Sequence, residues 1–145
     1  MPGLIRNGIY KIEDVLPFTG NYVKLYNNHK VKMYSQRYTV FKKKGVVCKK
    51  CGLVGEYFAL EAHNCKNMLK HGFYHFNLYG TKNGKEVLFT KDHVFPKSEG
   101  GTNNLKNLQV LCQPCNSKKG SIVSIVDFIL NGGVYEYQYL KYFNN

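Results

Sequence analysis

The chain has 145 residues, 43% of them hydrophobic, which suits one domain with a modest core and excludes a disordered chain. Lysine and arginine number 21 against 9 aspartates and glutamates, a net charge of +12, so the expected partner is an anionic polymer, most simply nucleic acid. No apolar run is long enough to span a bilayer, and Met1–Phe18 lacks the apolar core of a signal peptide; no membrane association and a cytoplasmic location are expected.

Residues 1–30 carry weak signals. Ile9–Ile12 suggests a short strand and Asn27-Asn28 a turn. Lys32–Lys44 sets Met33, Tyr38, Val40 and Phe41 among polar and basic residues. That pattern predicts a basic amphipathic helix, closed by Gly45 as a left-handed C-cap. Arg37, Lys42, Lys43 and Lys44 on it, followed by Lys49 and Lys50, are candidate contacts to a phosphate backbone; a merely solvated face is the plainer reading.

Four of the five cysteines form two pairs, Cys48-Lys-Lys-Cys51 and Cys112-Gln-Pro-Cys115, and Cys65 is left over. Two such pairs complete a tetrahedral zinc site with no open position, so structural zinc is expected. Cys65 and His63 are an alternative ligand pair, although Cys65 reads better as a buried apolar thiol.

Residues 55–71 fit no single pattern. Tyr74–Tyr79 and Glu86–His93 are rich in β-forming residues, with Asn83-Gly84 between them, which predicts a hairpin. A two-residue turn pairs Lys82 with Lys85. Counting outward pairs Tyr79 with Leu88, Asn77 with Thr90 and His75 with Asp92. His75 would then assist a metal or phosphate beside Asp92, or simply orient it. Phe95–Asn107 is a loop, Leu108–Leu111 a strand, and Asn116 opens a short helix towards Lys119. Ser124 with Asp127 reads as a capping box for a helix over Ile125–Leu130, and Val134–Phe143 suits strand or helix.

Cutting a phosphodiester requires a base for the attacking water and a divalent cation for the developing charge. The segments Phe89–Gly101 and Asn104–Gly120 present the order DH…P…GG…N..NLQ.LC..CN..KG. This order is similar to the HNH endonuclease signature. Tyr74–Tyr79 with Glu86–Thr90 also resembles small stand-alone HNH proteins encoded by phages. The resemblance covers about residues 46–120.

The resemblance implies an α+β fold: a ββα-metal (His-Me finger) core with zinc knuckles and flanking helices. One domain would span 1–145, with a basic N-terminal segment (1–45), a zinc-stapled catalytic core (46–120), and a C-terminal helix and tail (121–145). It implies that His93 is the general base and that Asp92 and Asn116 hold magnesium or another divalent cation. Asn107 would brace the loop that aims His93, and Lys119, with Lys118 beside it, would contact a phosphate. Asn116 stands where many relatives have histidine, which makes this an HNN variant. The activity implied is metal-dependent nicking or double-strand cutting of DNA by a monomer or homodimer, in a host cytoplasm if phage-encoded. Two competing readings are a zinc-dependent nucleic-acid-binding protein without catalysis and an RNA-binding zinc ribbon. Neither needs Asp92, His93 and Asn116 together.

Overall fold

A computed structural model of the chain describes residues 3–63 and 72–119. In chain order these form β1 (Leu4–Tyr10), β2 (Val23–Tyr26), β3 (His29–Lys32), α1 (Gln36–Lys44), β4 (Tyr57–His63), β5 (Phe73–Lys82), β6 (Lys85–His93), β7 (Leu108–Cys112) and α2 (Gln113–Lys119). The class is mixed, as expected. The expected helix at Ile125–Leu130, the tail, and Cys65 lie outside the described residues. Among the described residues no helix is long and apolar enough to cross a membrane.

The strands follow the path β1-β4-β5-β3-β2, with β6 paired to β5 and β7 paired to β6. The β5–β6 hairpin turns on Asn83 (φ 53°) and Gly84 (φ 74°). Both sit in the left-handed region, where a two-residue turn matches the twist of its strands. The register from Lys82–Lys85 to Tyr79–Leu88 is the one the turn dictates.

Pairing stops at Leu88, and this corrects the expected register. Beyond that point β6 turns to β7, from Phe89–Cys112 to His93–Leu108. The β5 edge it leaves is taken at Phe73 and Tyr74 by β3, in parallel. The pairs Asn77–Thr90 and His75–Asp92 therefore do not form, and His75 faces Glu61 on β4 instead. Turn chemistry fixes only the first rungs of a hairpin. Competition between β3, β4 and β7 for strand edges decides the rest.

Helix α1 fills the resulting fork. The Phe76 N–H, which neither β3 nor β6 reaches, donates to the Tyr38 hydroxyl at 2.8 Å. A buried amide left unpaired there would cost about 1–3 kcal/mol. Tyr38, Val40 and Phe41 are buried with Phe58, Phe76, Phe89 and Leu108 in the core, and Phe58 meets Phe76 edge-on at 5.9 Å. The helix begins at Gln36 rather than Lys32 because Val31 and Lys32 are paired in the β2–β3 hairpin. Gly45 has a positive φ (94°) but an extended ψ (178°), and its N–H returns to Phe41 O.

The first cysteine knuckle folds back through a Val47–Val54 bridge. It presses on β5 at Gly80, where an added Cβ would lie 2.6 Å from the Val54 carbonyl oxygen. Lys49 N–H donates to Val110 O at 2.9 Å, so this knuckle lies along β7, next to the second.

Candidate functional site

The sulfur atoms of Cys48, Cys51, Cys112 and Cys115 lie within 4.8 Å of one another, with Cys51 and Cys112 3.7 Å apart. A tetrahedral zinc with Zn–S bonds of about 2.3 Å separates its sulfurs by about 3.8 Å, so the four donors fit the ion. Their acidities fit it too. Burial alone would raise the Cys48 thiol, but N–H groups of Cys51, Cys112 and Lys50 point at its sulfur and bring it down to about 6. Burial pushes Cys112 up, and burial with the neighbouring sulfurs pushes Cys115 up to about 12. Four thiolates so close repel one another unless a cation sits between them.

The second knuckle is the junction of β7 and α2, so the cluster fixes where α2 starts. Thr90 and Asp92 alternate onto the face of β6 that α2 covers. Asn116 Nδ2 donates to Thr90 Oγ1 at 2.9 Å, and that hydroxyl donates to Leu111 O at 2.8 Å. With its single proton spent, the hydroxyl can only accept from Asn116. The amide orientation is thereby set, and Asn116 Oδ1 has no hydrogen-bond partner among the described residues.

Asp92 uses one oxygen in the same way. Its Oδ2 accepts from Gln109 Nε2 at 2.9 Å and lies 3.1 Å from Lys119 Nζ. Oδ1 takes no hydrogen bond among the described residues. Asp92 and Asn116 thus each present one unpaired oxygen at the β6–α2 face. Beside them Gln109 Oε1 is buried and unpartnered, an oxygen that a hydrated cation would relieve.

His93 ends β6 and belongs to the other side of the strand. Its Nε2 lies 2.8 Å from Asn103 Oδ1, in the loop that follows. That loop is closed by Asn107, which is 1% exposed. Asn107 Oδ1 accepts from Phe95 N at 2.7 Å, and its Nδ2 donates to Phe95 O and Thr102 O at 3.0 and 2.8 Å. Gly101 completes the turn: a Cβ there would fall 1.9 Å from Phe95 O. Asn107→Ala would remove three buried or part-buried hydrogen bonds to backbone groups at about 1–3 kcal/mol each, not fully additive. A loss near 3 kcal/mol in urea unfolding is expected. An unchanged urea midpoint would contradict this account.

Several predicted contacts are placed differently. Lys119 does not project from the surface to meet a phosphate. Its side chain is 8% exposed, and its ammonium donates to His93 O at 2.9 Å as well as pairing with Asp92. It ties the last turn of α2 to the end of β6. Arg37 is half-buried and donates to Asn77 Oδ1 at 2.9 Å, linking α1 to β5 instead of joining the lysine row. Lys42, Lys43, Lys44 and Lys118 are exposed.

His75 stands apart from Asp92. Its ring lies 5.8 Å from that of His63. Burial first, then Arg37 and His63, lower its pKa to about 4, with Glu61 opposing. The unfolded value is near 6.5, so the unfolded chain gains a proton on His75 before the folded one does. Stability is then full above pH 6.5 and falls as the pH drops towards 4. Urea midpoints should decrease from pH 7 to pH 5, and His75→Asn should flatten that slope; an equal slope in the variant would assign the effect elsewhere.

Thr90, Gln109, Asn103 and Gln36 were not singled out from the sequence. Gln109 is legible as the Q of NLQ, one residue before the strand turns to its cysteine. The other three are ordinary polar residues whose roles depend on what the fold brings to them.

Residues 79–124 match the family model described as HNH endonuclease. No curated protein and no solved structure matches the chain. The match takes in the end of β5, all of β6, the Asn107-braced loop, β7, the second knuckle and α2, and it leaves β1 to β4, α1 and the first knuckle outside. The stretch that carries Asp92, His93, Asn107 and Asn116 is thus an HNH endonuclease segment, joined to upstream structure through a four-cysteine cluster.

Proposed function

We propose that the protein is a DNA endonuclease dependent on a divalent cation, with β6, β7 and α2 as a ββα-metal core and zinc in the cysteine cluster. The carrying observation is the division of groups at the end of β6. Two unpaired hard oxygens, Asp92 Oδ1 and Asn116 Oδ1, belong to the α2 side, and the His93 imidazole belongs to the loop side. In-line displacement at phosphorus needs the attacking and leaving oxygens on opposite sides. A phosphate seated across the strand end would meet both.

In this reading His93 takes one proton from water. The water oxygen bonds to phosphorus, the bond from phosphorus to the ester oxygen breaks, and that oxygen leaves and is protonated. Magnesium or a related cation on Asp92 and Asn116 would neutralise charge at the phosphoryl and leaving oxygens. Lys119 pairs with the Asp92 carboxylate and fixes it, and Gln109 limits its rotation.

Two basic clefts flank the strand pair and suit a DNA backbone. One, about 410 Å³, is lined by Gln36, Arg37, Thr90 and Lys91. The other, about 370 Å³, is lined by Lys44, Lys49 and Gln109. Lys42, Lys43 and Lys118 would add screened, sequence-blind attraction.

The test is supercoiled plasmid incubated with the zinc-loaded protein and magnesium, with and without chelator, beside His93→Ala. Magnesium-dependent nicking lost in the variant supports the proposal. DNA binding with no nicking under any divalent cation would favour a binding protein without catalysis.

A further inference from the structure

The His93 ring has one hydrogen-bond partner among the described residues, Asn103, and Asn103 is itself held from outside the HNH segment. Gln36 Nε2, in the first turn of α1, donates to the Asn103 carbonyl oxygen at 2.9 Å. Gln36 Oε1 accepts from Lys91 Nζ at 2.7 Å. Both of its partners are one-sided: an ammonium only donates and a carbonyl only accepts. The Gln36 amide therefore has one allowed orientation. It bridges β6 to the loop, two residues before His93 on one side and at Asn103 on the other.

We infer that Gln36 and Asn103 are positioning residues for the general base, fixing His93 as the Nε2–H tautomer so that Nδ1 is the nitrogen that takes the proton. This rests on the nuclease reading for its consequence in catalysis, but the tautomer itself does not. Asn103 presents Oδ1, an acceptor, to the ring, so the 2.8 Å contact takes its proton from Nε2, and the opposite nitrogen then carries the lone pair. The reverse, Asn103 Nδ2 donating to a bare Nε2, is the alternative that the tautomer measurement distinguishes. The imidazolium formed during the reaction keeps its Nε2–H on Asn103, so the ring does not turn as it gains charge.

Gln36→Glu is the informative variant. A carboxylate keeps the Lys91 contact, and as an ion pair holds it at least as well. It also has no proton for the Asn103 carbonyl and repels it. A purely structural Gln36 would tolerate the change; a positioning Gln36 would not.

The experiment combines two readouts on zinc-loaded full-length protein. Imidazole nitrogen NMR, with His93 assigned by comparison with His93→Gln, reports tautomer and titration. Plasmid nicking with magnesium reports kcat, KM and their pH dependence. Expected are the Nε2–H tautomer in the wild type, and a mixed tautomer in Asn103→Ala. Gln36→Glu and Asn103→Ala should each lower kcat about tenfold with KM within twofold. Their double variant should be no worse than Asn103→Ala alone.

An Nδ1–H tautomer in the wild type overturns the inference. So does full activity in Gln36→Glu, or a double variant with multiplied losses. A wild type that never nicks DNA sinks the nuclease reading, while the NMR result still upholds or rejects the Gln36–Asn103–His93 relay.

Discussion

Cys112→Ser, or treatment with a strong chelator, is expected to unfold the β6–β7–α2 region and with it most of the cooperative structure. Cys112 is the last residue of β7 and immediately precedes α2. Its sulfur lies 3.7 Å from that of Cys51, which the chain reaches only through β4, β5 and β6. A cation in the cluster would thus close a long loop and hold the helix that bears Asn116. A structural zinc contributes apparent binding energies of about 10–16 kcal/mol at neutral pH, against a total stability of about 5–15 kcal/mol for an ordinary domain. Removing one thiolate also leaves three crowded sulfurs with a poorer ion. Circular dichroism and urea unfolding, read beside metal content, test this. A chelated protein that unfolds at an unchanged urea midpoint would show that the cluster is not structural.

His93→Ala carries the largest expected effect on activity. Loss of a general base typically costs a factor of about 10² to 10⁴, and Asp92, with Oδ2 held by Gln109 and Lys119 and Oδ1 proposed for the cation, is a poor substitute. The fold should be indifferent, because among the described residues the ring hydrogen-bonds to Asn103 and is not part of the core. Affinity for DNA should change little, since the lysines proposed to supply it are elsewhere. Nicking rate, DNA binding by titration and the urea midpoint, measured together, separate a catalytic loss from a folding loss. A variant that nicks at more than a tenth of the wild-type rate would remove His93 from its role.

The nuclease segment was legible because its signals are local and chemically narrow. Asn83-Gly84 specifies a tight turn, paired cysteines specify a metal, and the DH…N…N order specifies a family. Each holds within a few residues of sequence. His75 shows where such reading stops. Its position across the hairpin follows arithmetically from the turn, but β6 had another partner in β7, and a strand edge goes to whichever neighbour the whole fold supplies. Lys119 shows the same limit for charge. A basic residue at the end of a short helix looks solvated until a carboxylate and a carbonyl are placed beneath it. Gln36 and Asn103 left no trace, because glutamine and asparagine are common at helix starts and loops. Only the distance between α1 and the loop, set by packing of Tyr38 and Phe41, makes them a pair.

The fork at β5 has a practical consequence for anyone trimming the protein. A fragment cut to residues 79–124 would keep the diagnostic motif and lose half the cysteines, α1 with most of β5, and the Gln36 strut to the loop at Asn103. Such a piece is expected to aggregate or stay unstructured even in excess metal. Recognisable boundaries in sequence and self-sufficient boundaries in folding need not coincide, and here the second set begins well upstream of the first.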